Sequence, residues 1–165
     1  MRNMNIQFRQ VTQYDINKLP VWYERIGGTE LFSNFLPSTF VSFEESKDLL
    51  WFIIMDDNDE IGTIWFERKN PEKMSYDLGI YLNRIDLFGK GIGRTVIRSA
   101  MDNILFEKDV QELYLDVRKV NIRAIRCYEK LGFETIHEGE KATSSGKIKF
   151  QRMKLIITEQ VHRNH

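Results

Sequence analysis

The chain has 165 residues, of which 42% are hydrophobic and 29% charged, and its formal net charge is zero. This length and balance predict one globular domain whose core needs no disulfide or metal for stability. The single cysteine, Cys127, excludes an intramolecular disulfide framework, and the three dispersed histidines predict no metal site. The sequence has no basic run with interleaved aromatic residues, no apolar run of membrane-spanning length and no apolar leader. We therefore expect a cytoplasmic protein that binds neither nucleic acid nor membrane.

Charge is unevenly distributed along the chain. Residues 1–60 contain 5 basic and 10 acidic residues, and by difference from the totals of 24 and 24 the remainder contains 19 and 14. A C-terminal part that binds an anion and an N-terminal part that receives a cation would have this distribution. Alternatively, the acidic residues of the predicted turn Asp56–Glu60 are solvated and the imbalance has no functional meaning.

The first part of the chain predicts a strand and a bent helix. Met4–Arg9 alternates apolar and polar residues, as a half-buried strand does. Thr12 is a predicted helix N-cap with Asp15 as its capping-box partner, Pro20 bends or splits the helix, and Gly27–Gly28 ends it. The predicted buried face of the helix consists of Ile16, Leu19, Trp22, Tyr23 and Ile26.

Three strands follow an irregular segment. Residues 29–47 are rich in aromatic side chains without a regular period, so we assign them no element. The strands are a continuous apolar run at Leu49–Met55, then Ile61–Arg68 and Met74–Leu82. Turn-forming residues separate them, so we predict an antiparallel meander.

A glycine-rich turn at residues 88–94 leads directly into an amphipathic helix that extends to Leu105. Such a turn after a strand can bind an anion, because the first N–H groups of a helix lack partners and the helix dipole favours negative charge there. Lys90 and Arg94 add positive charge at the same place. The spacing matches neither a dinucleotide-binding G-x-G-x-x-G turn nor a P-loop, in which Ser or Thr follows Gly-Lys.

The remaining chain completes one predicted domain over residues 3–157. Gln111–Val117 alternates and follows a helix from the preceding strand, so it should lie parallel to Met74–Leu82. Asn121–Leu131 predicts a helix that Gly132 ends. Two strands, their hairpin loop and a flexible tail are predicted at Phe133–His137, Ile148–Ile157, Thr143–Gly146 and Thr158–His165.

Two stretches of this sequence resemble the GCN5-related N-acetyltransferase (GNAT) family. In that family's loop pattern, Gln/Arg-x-x-Gly-x-Gly/Ala, Gly91 and Gly93 fill the last two fixed positions, whereas Phe88 replaces the first. Asn121–Phe133 reads NIRAIRCYEKLGF and ends in a Tyr-Glu-Lys-Leu-Gly-Phe phrase that is common in the family. The similarity covers roughly Ser75–Phe133. Within the family, the sequence most resembles the ribosomal-protein, polyamine and aminoglycoside acetyltransferases.

The resemblance implies a single-domain α+β fold. We expect a mixed, mostly antiparallel central sheet of six to seven strands flanked by helices, with one parallel β-α-β crossover at the cofactor site. The resemblance also implies acetyl-CoA as co-substrate without a metal, and an acceptor side formed by residues 29–47. Edge strands near the C-terminus could support a homodimer.

The resemblance further assigns cofactor-binding residues. The backbone of Gly89–Arg94 would hold the diphosphate, and the pantetheine arm would insert beside the preceding strand, where an N–H near Ile80 would polarise the thioester oxygen. Asn121 would bind a pantetheine amide, or would serve only as a helix N-cap. The complete predicted set is Ile80, Tyr81, Leu82, Gly89, Lys90, Gly91, Ile92, Gly93, Arg94 and Asn121.

The catalytic candidates are a tyrosine and two carboxylates. Tyr128 is the candidate general acid for the leaving sulfur, and the alternative is a core tyrosine with a satisfied hydroxyl. Asp77 is the first candidate for the general base and Glu67 the second, although each could be a solvated strand residue and a water relay would also suffice. Cys127 has no nearby histidine in the pattern and is interpreted as a small buried residue.

Together these assignments predict direct acetyl transfer from acetyl-CoA to a primary amine of a small molecule or a protein N-terminus. Two alternatives stay open on the sequence. One is a non-catalytic CoA-binding sensor or interaction domain of the same fold, and the other is a different enzyme class that uses the anion site for a nucleotide phosphate.

Overall fold

One mixed sheet forms the centre of the computed structural model. The model describes residues 3–157 except Ser33, Lys47 and Ser145, and of Leu31 it describes the backbone but not the side chain. Within those residues the sheet has seven strands in the order β1-β2-β3-β4-β5-β7-β6. The strands are β1 (Ile6–Gln10), β2 (Leu49–Asp56), β3 (Asp59–Glu67), β4 (Ser75–Leu82), β5 (Glu112–Arg118), β6 (Glu134–Thr143) and β7 (Gly146–Ile156). The α-helices are α1 (Lys18–Arg25), α2 (Gly28–Leu31), α3 (Ile92–Ala100) and α4 (Ile122–Leu131).

The strand pairing confirms the predicted fold class. Strands β4 and β5 are parallel, and every other neighbouring pair in the sheet is antiparallel. Helix α3 connects the parallel pair, so β4-α3-β5 is the predicted crossover. The domain is therefore α+β, with a meander β2-β3-β4 on one side of the crossover and the β6-β7 hairpin on the other.

Apolar side chains cover both faces of the sheet. Helices α3 and α4 pack on one face, where Phe66, Val96, Ile97 and Met153 are completely buried. On the other face α1 and the segment after α2 cover an aromatic cluster that includes Trp51, Trp65 and Tyr81. Full burial of one large apolar side chain stabilises a fold by about 1.5–3 kcal/mol, so these two layers hold the crossover against the rest of the sheet.

Several boundaries differ from the sequence prediction. The turn between β2 and β3 is shorter than Asp56–Glu60, because Asp56 pairs with Asp59 and Asp57 takes the left-handed conformation, with φ +53°. The first predicted helix is split into a 3₁₀ turn (Gln13–Asp15) and α1. Pro20 lies in the first turn of α1, where its missing N–H removes no helical hydrogen bond.

The C-terminal hairpin is longer than predicted. Strand β6 continues beyond His137 to Thr143, and β7 begins at Gly146 rather than Ile148. The extension has solvent on both sides, since almost all of β6 is exposed, so its sequence lacks the alternation that reveals a half-buried strand. Helix α3 also differs, because its last predicted turn is a π-helical turn at Met101–Leu105.

Some predictions concern parts or properties that the structure does not test. The tail at 158–165 lies outside the described residues. No helix within the described ranges is both long and apolar enough to cross a membrane. The cytoplasmic location and the homodimer stay predictions.

An ion-pair network around the buried Asp15 connects β1, α1 and the β2–β3 hairpin. Asp15 is 2% exposed and lies 2.9 Å from the Arg9 guanidinium and 3.3 Å from the Lys18 ammonium. Both cations also contact Glu60, at 2.8 Å and 3.1 Å. Burial by itself raises the pKa of Asp15, but the hydrogen bonds from Arg9 and from the Thr12 N–H outweigh it and hold that pKa well below its usual range.

We expect Asp15→Asn to lower the free energy of unfolding at neutral pH by about 2 kcal/mol, because the substitution leaves charged donors without their buried partner. A depressed carboxyl pKa stabilises the fold above the unfolded-state value of about 3.9, and this contribution is lost as pH falls below it. In urea unfolding, the difference in free energy of unfolding between wild type and variant should therefore be largest at pH 7 and decrease below pH about 4.

The matched control is Asp86→Asn, since that carboxylate is 69% exposed and its ion pair with Arg84 is on the surface. It should change stability little at either pH. An Asp15→Asn effect that stays constant with pH would contradict the assigned ion pairing.

Candidate active site

Strands β4 and β5 separate soon after they meet. Their parallel pairing covers only Ser75–Asp77 against Glu112–Tyr114. Beyond it, β4 stays paired with β3 as far as Leu82, and β5 stays paired with β7 as far as Arg118. The sheet therefore opens between β4 and β5 at their carboxyl ends.

The opening exposes backbone groups of β4. Asn83, directly after the strand, donates its N–H to the Ile61 carbonyl of β3 at 2.9 Å. Because backbone groups of a strand point alternately to its two neighbours, the N–H groups of Ile80 and Leu82 point away from β3 and toward the gap. The predicted oxyanion donor, the N–H of Ile80, thus faces the opening.

A cavity of about 410 Å³ lies at this opening, between β4, the glycine-rich turn, α3 and α4. Every residue predicted to bind the cofactor lines it, and so does Tyr128. The structure thus brings two separate sequence stretches, residues 80–94 and 121–128, to one place. Asp77 and Glu67 are described but are not part of the lining.

The glycine-rich turn has the geometry of an anion site. Gly89 and Gly91 take φ values of +72° and +77°, which favour glycine, and Gly91 is the N-cap of α3. The first helical turn closes when Thr95 donates its N–H to the Gly91 carbonyl at 3.1 Å. The three preceding helical N–H groups, those of Ile92, Gly93 and Arg94, have no acceptor among the described residues, as expected at a helix start.

The cavity is strongly cationic. Its lining includes five basic side chains and no carboxylate, and none of the five forms an ion pair with another described residue. The basic residues are Lys90, Arg94, Arg123, Arg126 and Lys130. Unpaired cations and free N–H groups around one opening fit a ligand with several phosphates, such as coenzyme A.

Three of these basic residues were not predicted as cofactor-binding residues from the sequence. Arg123, Arg126 and Lys130 lie on α4 at spacings of three and four residues, so they share one face of the helix. This spacing was present in the sequence as a possible signal. It becomes meaningful only when the fold places that face of α4 opposite the glycine-rich turn.

Tyr128 combines burial with an unpaired hydroxyl. The residue is 8% exposed, and its ring contacts Phe133 edge-on at 5.7 Å between centroids. Its hydroxyl makes no hydrogen bond to any described residue, which disfavours the alternative of a core tyrosine with a satisfied hydroxyl. Burial raises the pKa of Tyr128, so the phenol stays protonated and can donate a proton.

Asn121 and Cys127 complete the α4 side of the cavity. Asn121 is 4% exposed, and its Oδ1 accepts the Ala124 N–H at 3.4 Å, so the N-cap role is present. Its side-chain NH₂ has no acceptor within the described part of the chain, and the residue lines the cavity, so the amide can also donate to a ligand. Cys127 is half-buried, and burial raises the pKa of its thiol, which disfavours a thiolate nucleophile.

The two carboxylate candidates lie on the opposite face of the sheet from Tyr128. Asp77 forms a two-pronged ion pair with Arg152, at 3.1 and 3.2 Å, and contacts Lys69 at 3.1 Å. Glu67 is directly across from Asp77 on β3 and is 4% exposed. It accepts the Thr39 N–H at 2.9 Å, so it anchors the segment after α2 to the sheet.

Both carboxylates lie away from the opening between β4 and β5. Asp77 precedes Ile80 by three residues, which is about 10 Å along an extended strand. Neither carboxylate therefore contacts the position that the Ile80 N–H faces, and proton transfer to either of them from that position needs an intervening group. No cluster of three or more His, Cys, Asp or Glu side chains suited to a metal ion occurs within the described ranges.

Comparisons with known proteins agree with this geometry. Residues 4–134 match the family model described as an acetyltransferase (GNAT) domain. A kanamycin resistance protein of Rhizobium radiobacter is 33% identical over 87 residues, which cover 53% of this chain and 77% of that protein. Aminoglycoside N(6')-acetyltransferase type 1 of Klebsiella pneumoniae is 26% identical, over 87% of this chain and 80% of that protein.

A solved structure supports the fold. The spermidine N-acetyltransferase of Vibrio cholerae, in complex with CoA and spermine, has a TM-score of 0.74 at 19% identity, over 92% of this chain and 95% of that one. The predicted fold class and the predicted family are thus confirmed, and the nucleotide-phosphate alternative does not agree with them. The chain belongs to the GNAT family of acetyltransferases, and acetyl-CoA is its co-substrate.

Proposed function

We propose that this protein transfers the acetyl group of acetyl-CoA directly to a primary amine of a small molecule or of a protein N-terminus. One observation carries the proposal: all ten predicted cofactor residues and Tyr128 line one cationic cavity beside the opening between β4 and β5. A cavity at a helix start suits phosphates, and an open strand edge suits an extended arm with amide groups.

A small polycationic amine is the acceptor that we favour. The relatives and the structural neighbour named above are, by their names, proteins of aminoglycoside or spermidine acetylation or kanamycin resistance. Residues 1–60, which include the segment covering the acceptor-side face, have an excess of five acidic residues. An excess of negative charge on that side would attract a cationic acceptor.

Different residues of the chain would bind the cofactor and stabilise the thioester oxygen. Acetyl-CoA supplies the activated acetyl group as a thioester. The free N–H groups of Ile92, Gly93 and Arg94 would hold its phosphates, and the NH₂ group of Asn121 would donate to the pantetheine arm. The N–H of Ile80, which faces the opening, would donate to the thioester oxygen and stabilise negative charge that develops there.

Two side chains would move protons. Tyr128 would donate its phenolic proton to the departing sulfur, because the residue lines the cavity and its protonated hydroxyl has no hydrogen-bond partner among the described residues. Asp77 would receive the proton of the amine through intervening water, since it lies about 10 Å along the strand from Ile80. Glu67 is the second candidate for this role, although its contacts with Ser38 and Thr39 suit an anchoring residue better.

The sequence also left open a non-catalytic CoA sensor, which does not agree with acetyl-CoA as the co-substrate of this chain. Its one argument is that Glu67 and Asp77 already have protein partners, so neither carboxylate is a free base. Release of free CoA thiol from acetyl-CoA separates the two functions when it is measured with a panel of spermidine, kanamycin and a peptide with a free N-terminus. Tight CoA binding with no amine-dependent release would support the sensor.

Substitution of Tyr128 by Phe should lower kcat by about 10²–10⁴-fold, because the leaving sulfur loses its proton donor. The Kd of acetyl-CoA, measured by calorimetry, should stay unchanged, since the ring still fills its place against Phe133. Equal kcat for the variant and the wild type would remove Tyr128 from the mechanism.

Asp77→Asn should lower kcat/KM at neutral pH and have less effect as pH approaches the amine pKa of about 10, where the acceptor is already neutral. Asp116→Asn is a suitable control, because Asp116 pairs with the same Arg152 at 3.2 Å. A loss in Asp77→Asn that is independent of pH, or one that Asp116→Asn reproduces, would indicate a structural role through Arg152.

Gly91→Ala should lower the free energy of unfolding by about 1–2 kcal/mol, because a side chain is strained at φ +77°. Gly93→Ala is the matched control in the same turn. An added Cβ there would lie 3.7 Å from the Cys127 sulfur, an ordinary contact, so this change should be neutral or stabilise α3 by up to about 1 kcal/mol. Urea unfolding measures both, and a comparable loss in Gly93→Ala would contradict the turn geometry.

A further inference from the structure

The glycine-rich turn lacks the Gln or Arg side chain with which the family's loop pattern begins. Phe88 stands where the family pattern has Gln or Arg, so the turn itself offers no polar side chain at this point. The Phe88 ring is half-buried and packs against the apolar clusters of both sheet faces. One side of the ring meets α4, where the guanidinium carbon of Arg123 lies 4.2 Å from the ring centroid.

This contact places a cation at the cavity mouth. At 4.2 Å the guanidinium lies within the range of attraction to the face of an aromatic ring. Arg123 is exposed and lines the cavity together with Phe88. A guanidinium that stacks uses its flat face, whereas its N–H donors lie in its plane and stay free for an anion.

Arg123 differs in this respect from the other cations of α4. Arg126 and Lys130 also line the cavity, but within the described residues neither stacks on an aromatic ring. A long charged side chain loses rotamer freedom when it binds, and a ring that already restricts the side chain lowers this cost. Of these three residues, Arg123 is therefore the one that an aromatic contact restrains before a ligand arrives.

We propose that Phe88 and Arg123 act together as a phosphate-binding element for coenzyme A, in which the ring positions a guanidinium in place of the polar side chain that position 88 lacks. The proposal rests on the proposed function, because it requires that the cavity binds acetyl-CoA. A planar guanidinium suits this task, since it can donate two parallel hydrogen bonds to one phosphate. The ligand group is a phosphate of the cofactor, either in the diphosphate or at the ribose 3′ position.

The first test measures binding by calorimetry with CoA and with dephospho-CoA, which lacks the 3′-phosphate. Arg123→Gln should raise the Kd of CoA by about tenfold, because a charge-assisted contact is lost. Arg98→Gln is the control, since Arg98 is exposed on α3 and lies outside the cavity lining. An equal loss for both ligands places the contact on the diphosphate, and a loss for CoA alone places it on the 3′-phosphate.

The second test asks whether the two residues act as a unit. Phe88→Leu keeps an apolar side chain in the cluster but removes the ring face, so it should raise the Kd of CoA by about threefold. The same change in the Arg123→Gln background should have no further effect, and Phe88→Tyr, which keeps the ring, should bind like the wild type. Thermal unfolding of each variant checks that the fold is intact.

Two results would overturn the proposal. One is a Kd for Arg123→Gln that equals the Kd for Arg98→Gln, and the other is additive losses from Phe88→Leu and Arg123→Gln. Either result with a wild type that binds CoA would leave the proposed function standing. A wild type that does not bind CoA would instead remove the proposed function itself.

Discussion

The separation of two parallel strands is the constraint on which the rest of the site depends. β4 and β5 are held by different partners, β3 and β7, and they share only three pairs of residues before they part. If the pairing had continued, the N–H groups of Ile80 and Leu82 would have their acceptors on β5 and the cavity would be closed. Helices α3 and α4 pack against both strands in one apolar cluster, so the two borders of the gap share one support.

The gap also divides the site into two chemically different sides. The side of α3 and α4 has the glycine-rich turn, Tyr128 and five basic side chains that form no ion pair with another described residue. The other face has the aromatic cluster around Tyr81 and the carboxylates of Glu67 and Asp77, each satisfied by protein partners. The cations of the cavity and these two carboxylates thus lie on opposite sides of the sheet, and the proposed reaction takes place where the two sides meet.

Local patterns predicted most of this architecture, and long-range contacts account for the rest. The turn and α3 were predictable because their glycines and apolar period act over a few residues. The segment after α2 was not, because its contacts join residues far apart in sequence, such as the Tyr81 hydroxyl with the Phe35 carbonyl at 2.6 Å. The stack of Arg123 on Phe88 joins residues 35 positions apart, so no local pattern reveals it.

The cationic cavity has a consequence for how the proposed reaction would end. In the proposed site, the five basic side chains and the helix N–H groups would contact the phosphates of the cofactor, and acetyl transfer changes none of these phosphates. Free coenzyme A should therefore stay bound about as firmly as its acetylated form and compete with it for the same opening. The turnover rate would then depend on the ratio of acetylated to free coenzyme A in the cell, and it would fall when free coenzyme A accumulates.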